Sequence, residues 1–276
     1  MLAANPLVDE SLMPELSSKI EVIPIQLPLI KRGMDVPALI VKAAKNLKIM
    51  FKDGDVLAVA DKVLAVSNGR VADLAKINPS LKARRLAKKY NLEPEFVEIV
   101  LKDADAVYGG VSRALLTLKH GVFIANSGID HKNLPKNEAS LWPEDPNNSA
   151  KLLREALQNL THKRLGVILV DSHVIALRAG TVGFALGIAG FEPLRDVRGF
   201  LDLYGKPLLI TQINIADSLA AMANLVMGET SERTPAALIH GAPIQVTDSY
   251  NPLSVRIDVE ADLFSSIFKV TRKGLI

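Results

Sequence analysis

The stretch from Leu165 to Gly190, LGVILVDSHVIALRAGTVGFALGIAG, limits the possible folds of this chain more than any other. It opens with an apolar run over 165–170 that is rich in β-branched residues and short for a helix. Such a run predicts a strand that is buried on both faces. The run ends at Asp171, Ser172 and His173. Polar side chains at the end of a buried strand are a common location for binding sites in sheets.

Two interpretations of Asp171 are open at this point. A carboxylate with a hydroxyl beside it suits a hard cation such as Mg²⁺ or Mn²⁺. Asp and Ser are also ordinary cap residues, so the alternative is that Asp171 caps the next element. The glycines that follow, Gly180, Gly183, Gly187 and Gly190, permit a close backbone approach either to a ligand or to another element of the core.

The composition excludes several classes of protein. Of the 276 residues, 49% are hydrophobic and 23% are charged, which excludes a disordered chain. The net charge of +3 and the 5% of aromatic residues argue against nucleic-acid binding. The chain has no cysteine, which excludes disulfides and thiolate chemistry. No segment predicts a transmembrane helix or a signal peptide, so we expect a cytoplasmic protein without a membrane partner.

Hydrophobic periodicity predicts a mixture of strands and helices. Strands are predicted over 20–29, 56–66, 113–123 (two strands joined by a turn), 208–215 and 236–239. Helices are predicted after the N-cap residues Asp35 and Ser80, and over 94–107, 148–162, 216–227 and near 261–268. Residues 1–19 are predicted to be a loosely attached extension, and 20–276 one domain with two intertwined subdomains as an option. The fold class is therefore α+β.

Two further stretches contain candidates for chemistry. Asp61 and Lys62 interrupt the apolar run 56–66, and charges at such a position require either solvent or a ligand. The polar stretch 125–146 is long and irregular, which is typical of a functional or a disordered segment. Asp130, His131 and Asn133 are its candidates, whereas Trp142 is interpreted as an anchor that holds the stretch to the body. The chain contains no Walker A, GxGxxG, HExxH or GxSxG motif, so a Rossmann fold is not expected.

Eight runs in the chain together resemble the coenzyme F420-0:L-glutamate ligase family. The runs are LPLI (27–30), DGDVLAVAD (53–61), NSGIDHKN (126–133), PEDPNNSA (143–150), GVILVDS (166–172), GFALGIAG (183–190), DLYGKPL (202–208) and ADSLAAMANLVMGE (216–229). Their order and spacing agree with the family from about residue 20 to about residue 241. No single run is specific, but eight in one order indicate a divergent member of the family, with its mixed α/β, non-Rossmann ligase fold.

The resemblance implies an enzyme that adds L-glutamate to coenzyme F420-0, or to a related acidic acceptor, through a γ-linked amide. GTP would be the co-substrate and the acceptor carboxylate would react as an acyl phosphate. Mg²⁺ or Mn²⁺ would neutralise the phosphate charge, with K⁺ as an optional further ion. The resemblance also implies an intertwined homodimer. The sequence assigns no catalytic residue.

The resemblance also assigns binding positions. The positions that match metal ligands are Asp130, Asp171, Ser172 and Glu229. The positions that match nucleotide contacts are Leu27, Pro28, Leu29, Ile30, Asp61, Lys62, Asn133, Met227 and Gly228. The residues that follow the strand, His173 and Arg178, are candidates for substrate or phosphate contacts.

The chain also departs from the family at cationic positions. Asp61 replaces a serine, Val66 replaces a lysine that binds GTP, and Ile175 and His240 stand where arginines are usual. Each lost cation removes a charge-assisted contact to phosphate, unless Lys62 and His173 compensate. Two alternatives to the ligase are therefore open: a paralogue that binds metal or nucleotide without ligase activity, and a metal-dependent phosphohydrolase.

Overall fold

The structure is a computed structural model, and it describes residues 19–264. Its strands are β1 (Glu21–Ile25), β2 (Val56–Ala60), β3 (Val71–Asp73), β4 (Ala106–Val111), β5 (Ala114–Lys119), β6 (Val122–Ala125), β7 (Glu138–Ser140), β8 (Gly166–Val174), β9 (Thr181–Ala189), β10 (Leu194–Asp196), β11 (Gln212–Asn214) and β12 (Ala236–His240). Its α-helices are α1 (Val36–Asn46), α2 (Asp61–Ser67), α3 (Leu81–Tyr90), α4 (Pro94–Asp103), α5 (Pro146–Thr161) and α6 (Ile215–Met227). Short 3₁₀ turns lie at Leu74–Lys76, Asn126–Gly128 and Val259–Ala261.

A mixed five-stranded sheet forms the centre, with the strand order β1-β12-β2-β8-β9. Only β2 and β8 pair in parallel, with Val56 opposite Gly166 and Ala60 opposite Val170. The other three pairs in this sheet are antiparallel. A mixed sheet of this order is not a Rossmann sheet, whose strands are mostly parallel, so the predicted α+β, non-Rossmann class is confirmed.

Helices cover both faces of the central sheet, as the unbroken apolar strands require. On one face, side chains of β2 and β8 such as Leu57 and Leu169 pack with α1 and α5 through Ile40 and Leu153. On the other face, alternate side chains of the same strands pack with α6. The residues of this second layer are Val56, Ala58, Ile168, Ile239, Leu219 and Ala223.

A third cluster of buried side chains, separate from the two layers on the central sheet, lies in the segment between β2 and β8. Helices α3 and α4 pack there against the sheet β4-β5-β6 through Leu86, Val97, Val100 and Leu115. Ser80 accepts a hydrogen bond from the Ala83 N–H and begins α3, as predicted. Asp35 caps α1 in the same way through the Ala38 N–H.

Several predicted boundaries are wrong for identifiable reasons. The run 56–66 is not one strand, because β2 ends at Ala60 and helix α2 begins at Asp61. Val63 and Leu64 of this helix pack into the core. The helix predicted over 94–107 ends at Asp103, and β4 follows. The strand predicted over 208–215 is only Gln212–Asn214. Helix α5 begins at Pro146, earlier than predicted, because Asp145 is its N-cap.

The polar run after 165–170 also differs from the prediction. Strand β8 does not stop at Asp171 but continues to Val174, because β9 hydrogen-bonds alongside it, with Asp171 opposite Phe184. Most of the helix predicted near 261–268 and most of the extension 1–19 lie outside the described residues. Within residues 19–264, no helix combines the length and the apolar character that crossing a membrane requires.

Candidate active site

A cavity of about 430 Å³ is lined by every residue that was predicted to bind the metal or the nucleotide. Its volume is within the range that is usual for small-molecule sites. Its lining residues come from five segments: 27–30, 60–66, 130–134, 170–172 and 224–235. These segments are distant in sequence, and the sheet explains how they meet.

The parallel pairing of β2 with β8 brings the two acidic positions together. Ala60 lies opposite Val170 in this pair, so the residues that follow them, Asp61 and Asp171, lie at the same edge of the sheet. The Ala60 N–H donates to the Pro235 carbonyl at 2.8 Å, which places the 224–235 segment beside this edge. The Leu27 N–H donates to the Arg233 carbonyl at 2.9 Å, which adds the LPLI segment.

The carboxylate of Asp171 lines the cavity and is fixed by two donors. The indole N–H of Trp142 donates to its Oδ2 at 2.7 Å, and the Ser172 backbone N–H donates to its Oδ1 at 2.7 Å. Burial raises the pKa of Asp171 to about 6, although the Trp142 hydrogen bond opposes the rise. Asp171 lies within β8 and no helix begins at it, so the alternative interpretation as a cap is wrong.

Asp61 is a second buried carboxylate on the same wall. It is 7% exposed. Burial raises its pKa well above the usual value, and the negative charge of Asp171 raises it further, while Lys62 opposes the rise. Two buried carboxylates of like charge lie together here, so a bound cation would favour the ionisation of both.

Asp130 lies across the cavity and is already paired. Lys62 Nζ donates to its Oδ2 at 2.6 Å, and the Lys132 backbone N–H donates to its Oδ1 at 2.9 Å. Burial alone would raise the pKa of Asp130, but the Lys62 charge and hydrogen bond outweigh burial and the pKa is lowered. In the same loop, the Asn133 amide donates to the Thr230 carbonyl at 2.7 Å, which ties 130–134 to 224–235.

Ser172 and Glu229 form the remaining pair of predicted ligands. The Ser172 hydroxyl lies 3.5 Å from Glu229 Oε2, and the Asn224 amide donates to Oε1 at 3.1 Å. Lys132 Nζ is 4.0 Å from Oε2. Within residues 19–264, no three His, Cys, Asp or Glu side chains are grouped closely enough to hold a metal ion. A cation here would therefore need the Ser172 hydroxyl, water or substrate oxygens in addition to carboxylates.

Several candidates from the sequence lie outside this cavity. The ring of His173 packs on Phe184 with centroids 5.0 Å apart, and burial lowers its pKa. Arg178 and Ile175 are exposed near the turn between β8 and β9. His240 is at the far end of β12, about 16 Å along the strand from Pro235.

His240 is therefore not a replacement for a cation of the cavity. Its Nδ1 lies 2.7 Å from Asp55 Oδ1, and both side chains are largely buried. Val66, by contrast, does line the cavity.

Some members of the site carry no local signal in the sequence. Lys132 and Arg233 line the cavity as additional cations, and Asn224 orients Glu229. Trp142 was interpreted only as an anchor; it is 1% exposed, which confirms that part, but it also donates to Asp171. The one signal in the sequence for a special role of Trp142 is that it is the single tryptophan of the chain.

The fold and the cavity together define an α+β enzyme whose small-molecule site is lined by carboxylates. The chain belongs to the F420-0:Gamma-glutamyl ligase family, whose model matches residues 24–241. It is therefore a ligase, of the class that forms C–N bonds. The family identified from the eight sequence runs is thus confirmed.

Individual relatives support this assignment. The chain is 39% identical to the coenzyme F420:L-glutamate ligase of Archaeoglobus fulgidus, over 81% of this chain and 88% of that protein. It is 38% identical to the protein of the same name from Methanocaldococcus jannaschii, over 82% and 89%. The corresponding protein of Methanothermobacter thermautotrophicus is 35% identical, over 79% and 86%.

Proposed function

We propose that this protein adds L-glutamate, through a γ-linked amide, to coenzyme F420-0 or a related acidic acceptor, with GTP and a divalent metal ion. The observation that carries the proposal is the meeting of Asp130, Asp171, Ser172 and Glu229 with the LPLI segment around one cavity. Family membership supports glutamate ligation in general terms. We infer the nucleotide, the metal and the acyl phosphate from the resemblance together with the residues that line the cavity.

The donor set around the cavity fits Mg²⁺ or Mn²⁺. Carboxylate and hydroxyl oxygens are the preferred ligands of these ions, and the buried carboxylates of Asp61 and Asp171 repel each other without one. Asp130 and Asp171 would hold one ion, and Ser172 with Glu229 a second. When bound, the metal would neutralise charge on the transferring phosphoryl group. K⁺ is proposed as an optional further ion, but we assign no residues to it.

The nucleotide is proposed to occupy the side of the cavity formed by 27–30, Asn133 and the 227–228 turn. Leu27 to Ile30 offer an apolar surface, whereas Asn133 offers an amide. Lys62 lines the same cavity and donates to Asp130. Once a metal ion takes over Asp130, the Lys62 ammonium becomes free to bind a phosphate oxygen.

The proposed reaction has two steps that conserve atoms. The acceptor carboxylate attacks the γ-phosphorus of GTP, which forms an acyl phosphate and releases GDP. The amine of glutamate then attacks the acyl carbon, so that the amide forms, inorganic phosphate leaves and one proton is released. The protein's contribution is to position the reactants and to stabilise the charge.

A second candidate function is supported by Val66. This residue lines the cavity, and the resemblance implies a lysine that binds GTP at its position, so one phosphate contact expected from the resemblance has no cation here. A paralogue that binds metal or nucleotide but has no ligase activity would be compatible with that loss. Lys132 and Arg233, which also line the cavity, are two cations that could replace the contact and so favour the ligase.

The homodimer is proposed on the basis of exposed apolar side chains. Large apolar side chains are exposed along two hairpin-like segments that follow β8 and β10, and large exposed apolar patches usually mark interfaces. They are Val174 (58%), Ile175 (44%), Leu177 (104%), Leu203 (101%), Tyr204 (89%), Leu209 (78%) and Ile210 (88%). Analytical ultracentrifugation should give twice the monomer mass of 29.8 kDa, and a monomer at micromolar concentration would contradict this part.

The reaction is tested by two linked measurements. Calorimetric titration of GTP is run with Mn²⁺ and with a chelator, and we expect binding that requires the metal. Turnover of GTP is then measured with glutamate and F420-0 supplied together or singly. Turnover that needs both supports the ligase. Turnover with neither indicates a phosphohydrolase, and binding without turnover indicates the paralogue.

A further inference from the structure

Trp142 contacts the predicted metal site directly through its ring nitrogen. Its Nε1 lies 2.7 Å from Asp171 Oδ2. An indole N–H can only donate, so this contact fixes Oδ2 as an acceptor. The Ser172 backbone N–H fixes Oδ1 in the same way at 2.7 Å. The carboxylate is therefore held at both oxygens, and the remaining lone pair of each oxygen is free for a ligand on the cavity side.

The indole itself is held rigidly. Its ring packs with Ile124, Phe184 and Leu186 in a small buried cluster. Gly128, at φ +71°, lies so close that a Cβ there would be 2.2 Å from the indole nitrogen. A glycine at this position therefore forms the slot in which the ring sits.

The backbone of Trp142 is also fixed. Arg70 donates to its carbonyl oxygen from Nε and from Nη2, both at 3.3 Å. Arg70 also pairs with Glu144 at 3.0 Å, and its own carbonyl accepts from the Leu141 N–H. The indole is thus fixed at the ring and at the main chain, which is more than an anchor for a loop requires.

We propose that Trp142 is a positioning residue that orients Asp171 as a ligand for a divalent cation. This inference rests on the proposed function, because it presumes that Asp171 binds the metal. Groups that hydrogen-bond a metal ligand commonly change metal affinity by 10–100-fold when they are removed. The role goes beyond the binding residues that the sequence indicates. Of those residues, Ser172 also donates to this carboxylate, but from its backbone and to the other oxygen.

The test compares Trp142→Phe with the wild type in Mn²⁺ titrations without nucleotide, in which electron paramagnetic resonance detects the free ion. Phe keeps an aromatic ring in the slot but lacks the N–H. We expect Mn²⁺ to bind about 10-fold or more weakly to this variant. Ile124→Val is the matched control, because it loosens the same cluster by one methylene without removing a donor to Asp171. It should lower the melting temperature and leave the Mn²⁺ affinity unchanged.

The outcomes separate this inference from the proposed function. If the wild type binds Mn²⁺ and Trp142→Phe binds it equally well, the positioning role is overturned while the metal site stands. An equal loss of affinity in Ile124→Val would also overturn the role, because general loosening would then explain the effect. If the wild type binds no Mn²⁺ at all, the metal-dependent function fails and this inference fails with it.

The wild-type chain provides an independent readout. Trp142 is its only tryptophan, so its fluorescence reports on one place. Because Mn²⁺ is paramagnetic, binding at Asp171 should quench this fluorescence with the same dissociation constant as the resonance titration. Asp171→Asn should abolish the quenching. Mn²⁺ binding that leaves the fluorescence unchanged would place the ion away from the indole and overturn the inference.

Discussion

Asp171→Asn should make the stability of the metal-free protein less dependent on pH. Burial raises the pKa of Asp171 from 3.8 to about 6, so the folded protein holds this proton more tightly than the unfolded chain does. The corresponding stability is fully present below about pH 4 and is lost as the pH rises through 6. This rise in the pKa of roughly 2 corresponds to a change of about 3 kcal/mol in the free energy of unfolding, since each pKa unit corresponds to about 1.36 kcal/mol.

The measurement is the difference in melting temperature between Asp171→Asn and the wild type at several pH values from 4 to 8, with a chelator present. Asn loses one of the two hydrogen bonds to Trp142 and Ser172, but this cost does not vary with pH. Titration of the other carboxylates affects both proteins and largely cancels. Asp61 enlarges the effect, because the charge of Asp171 raises the Asp61 pKa in the wild type but not in the variant. We expect the variant to gain roughly 6 °C or more relative to the wild type between pH 4 and 8.

A difference in melting temperature that stays constant across this pH range would refute the reasoning. It would show that the Asp171 carboxyl titrates alike in the folded and unfolded states. A second arm adds Mn²⁺ at pH 8, above the raised pKa of Asp171, where its carboxylate is ionised and can bind the ion. The ion should stabilise the wild type and have little effect on the variant, whose site lacks a ligand. Equal stabilisation of both proteins would place the ion elsewhere.

Three further changes test other parts of the molecule. Val66→Lys should tighten GTP binding by about 10-fold, since a hydrogen bond to a charged group contributes roughly 1.5–3 kcal/mol, whereas Ile175→Lys, outside the cavity, should leave calorimetric affinity unchanged. Gly128→Ala should lower the melting temperature by several degrees, because its Cβ would overlap the indole; an unchanged value would contradict the slot. Glu98→Gln should destabilise at pH 7, because hydrogen bonds from Ser80 lower the Glu98 pKa below its usual value. The difference should shrink as the pH falls through that lowered pKa, and a difference that stays constant as the pH falls would contradict it.

The elements that bury one or two complete faces could be predicted from the sequence. A strand buried on both faces leaves a local signature, as 165–170 does, and a helix start leaves a cap residue such as Asp35 or Ser80. The 61–67 helix could not be predicted, because its valines favour a strand locally and only the packing of Val63 and Leu64 into the core selects a helix.

The candidate residues of the site could be predicted, but their neighbours could not. Asp130, Asp171 and Glu229 are visible as polar side chains in matched runs. That Asp61 lies beside Asp171 depends on the parallel pairing of β2 with β8, which no local pattern encodes. The position of His240 depends on strand direction. Strand β12 starts at the cavity and leads away from it, so His240 at its end pairs with Asp55 instead.

The charges of the cavity wall bring these observations together. Five acidic side chains line it, Asp61, Asp130, Asp171, Glu229 and Glu232, against three basic ones, Lys62, Lys132 and Arg233. This wall would repel a triphosphate and an acidic acceptor, and Val66 adds no cation to correct it. One divalent ion would neutralise the excess and a second would reverse its sign. The carboxylates that make the cavity unfavourable for its proposed substrates are therefore the same groups that make it favourable for metal ions, so metal binding and substrate binding should be coupled in this site.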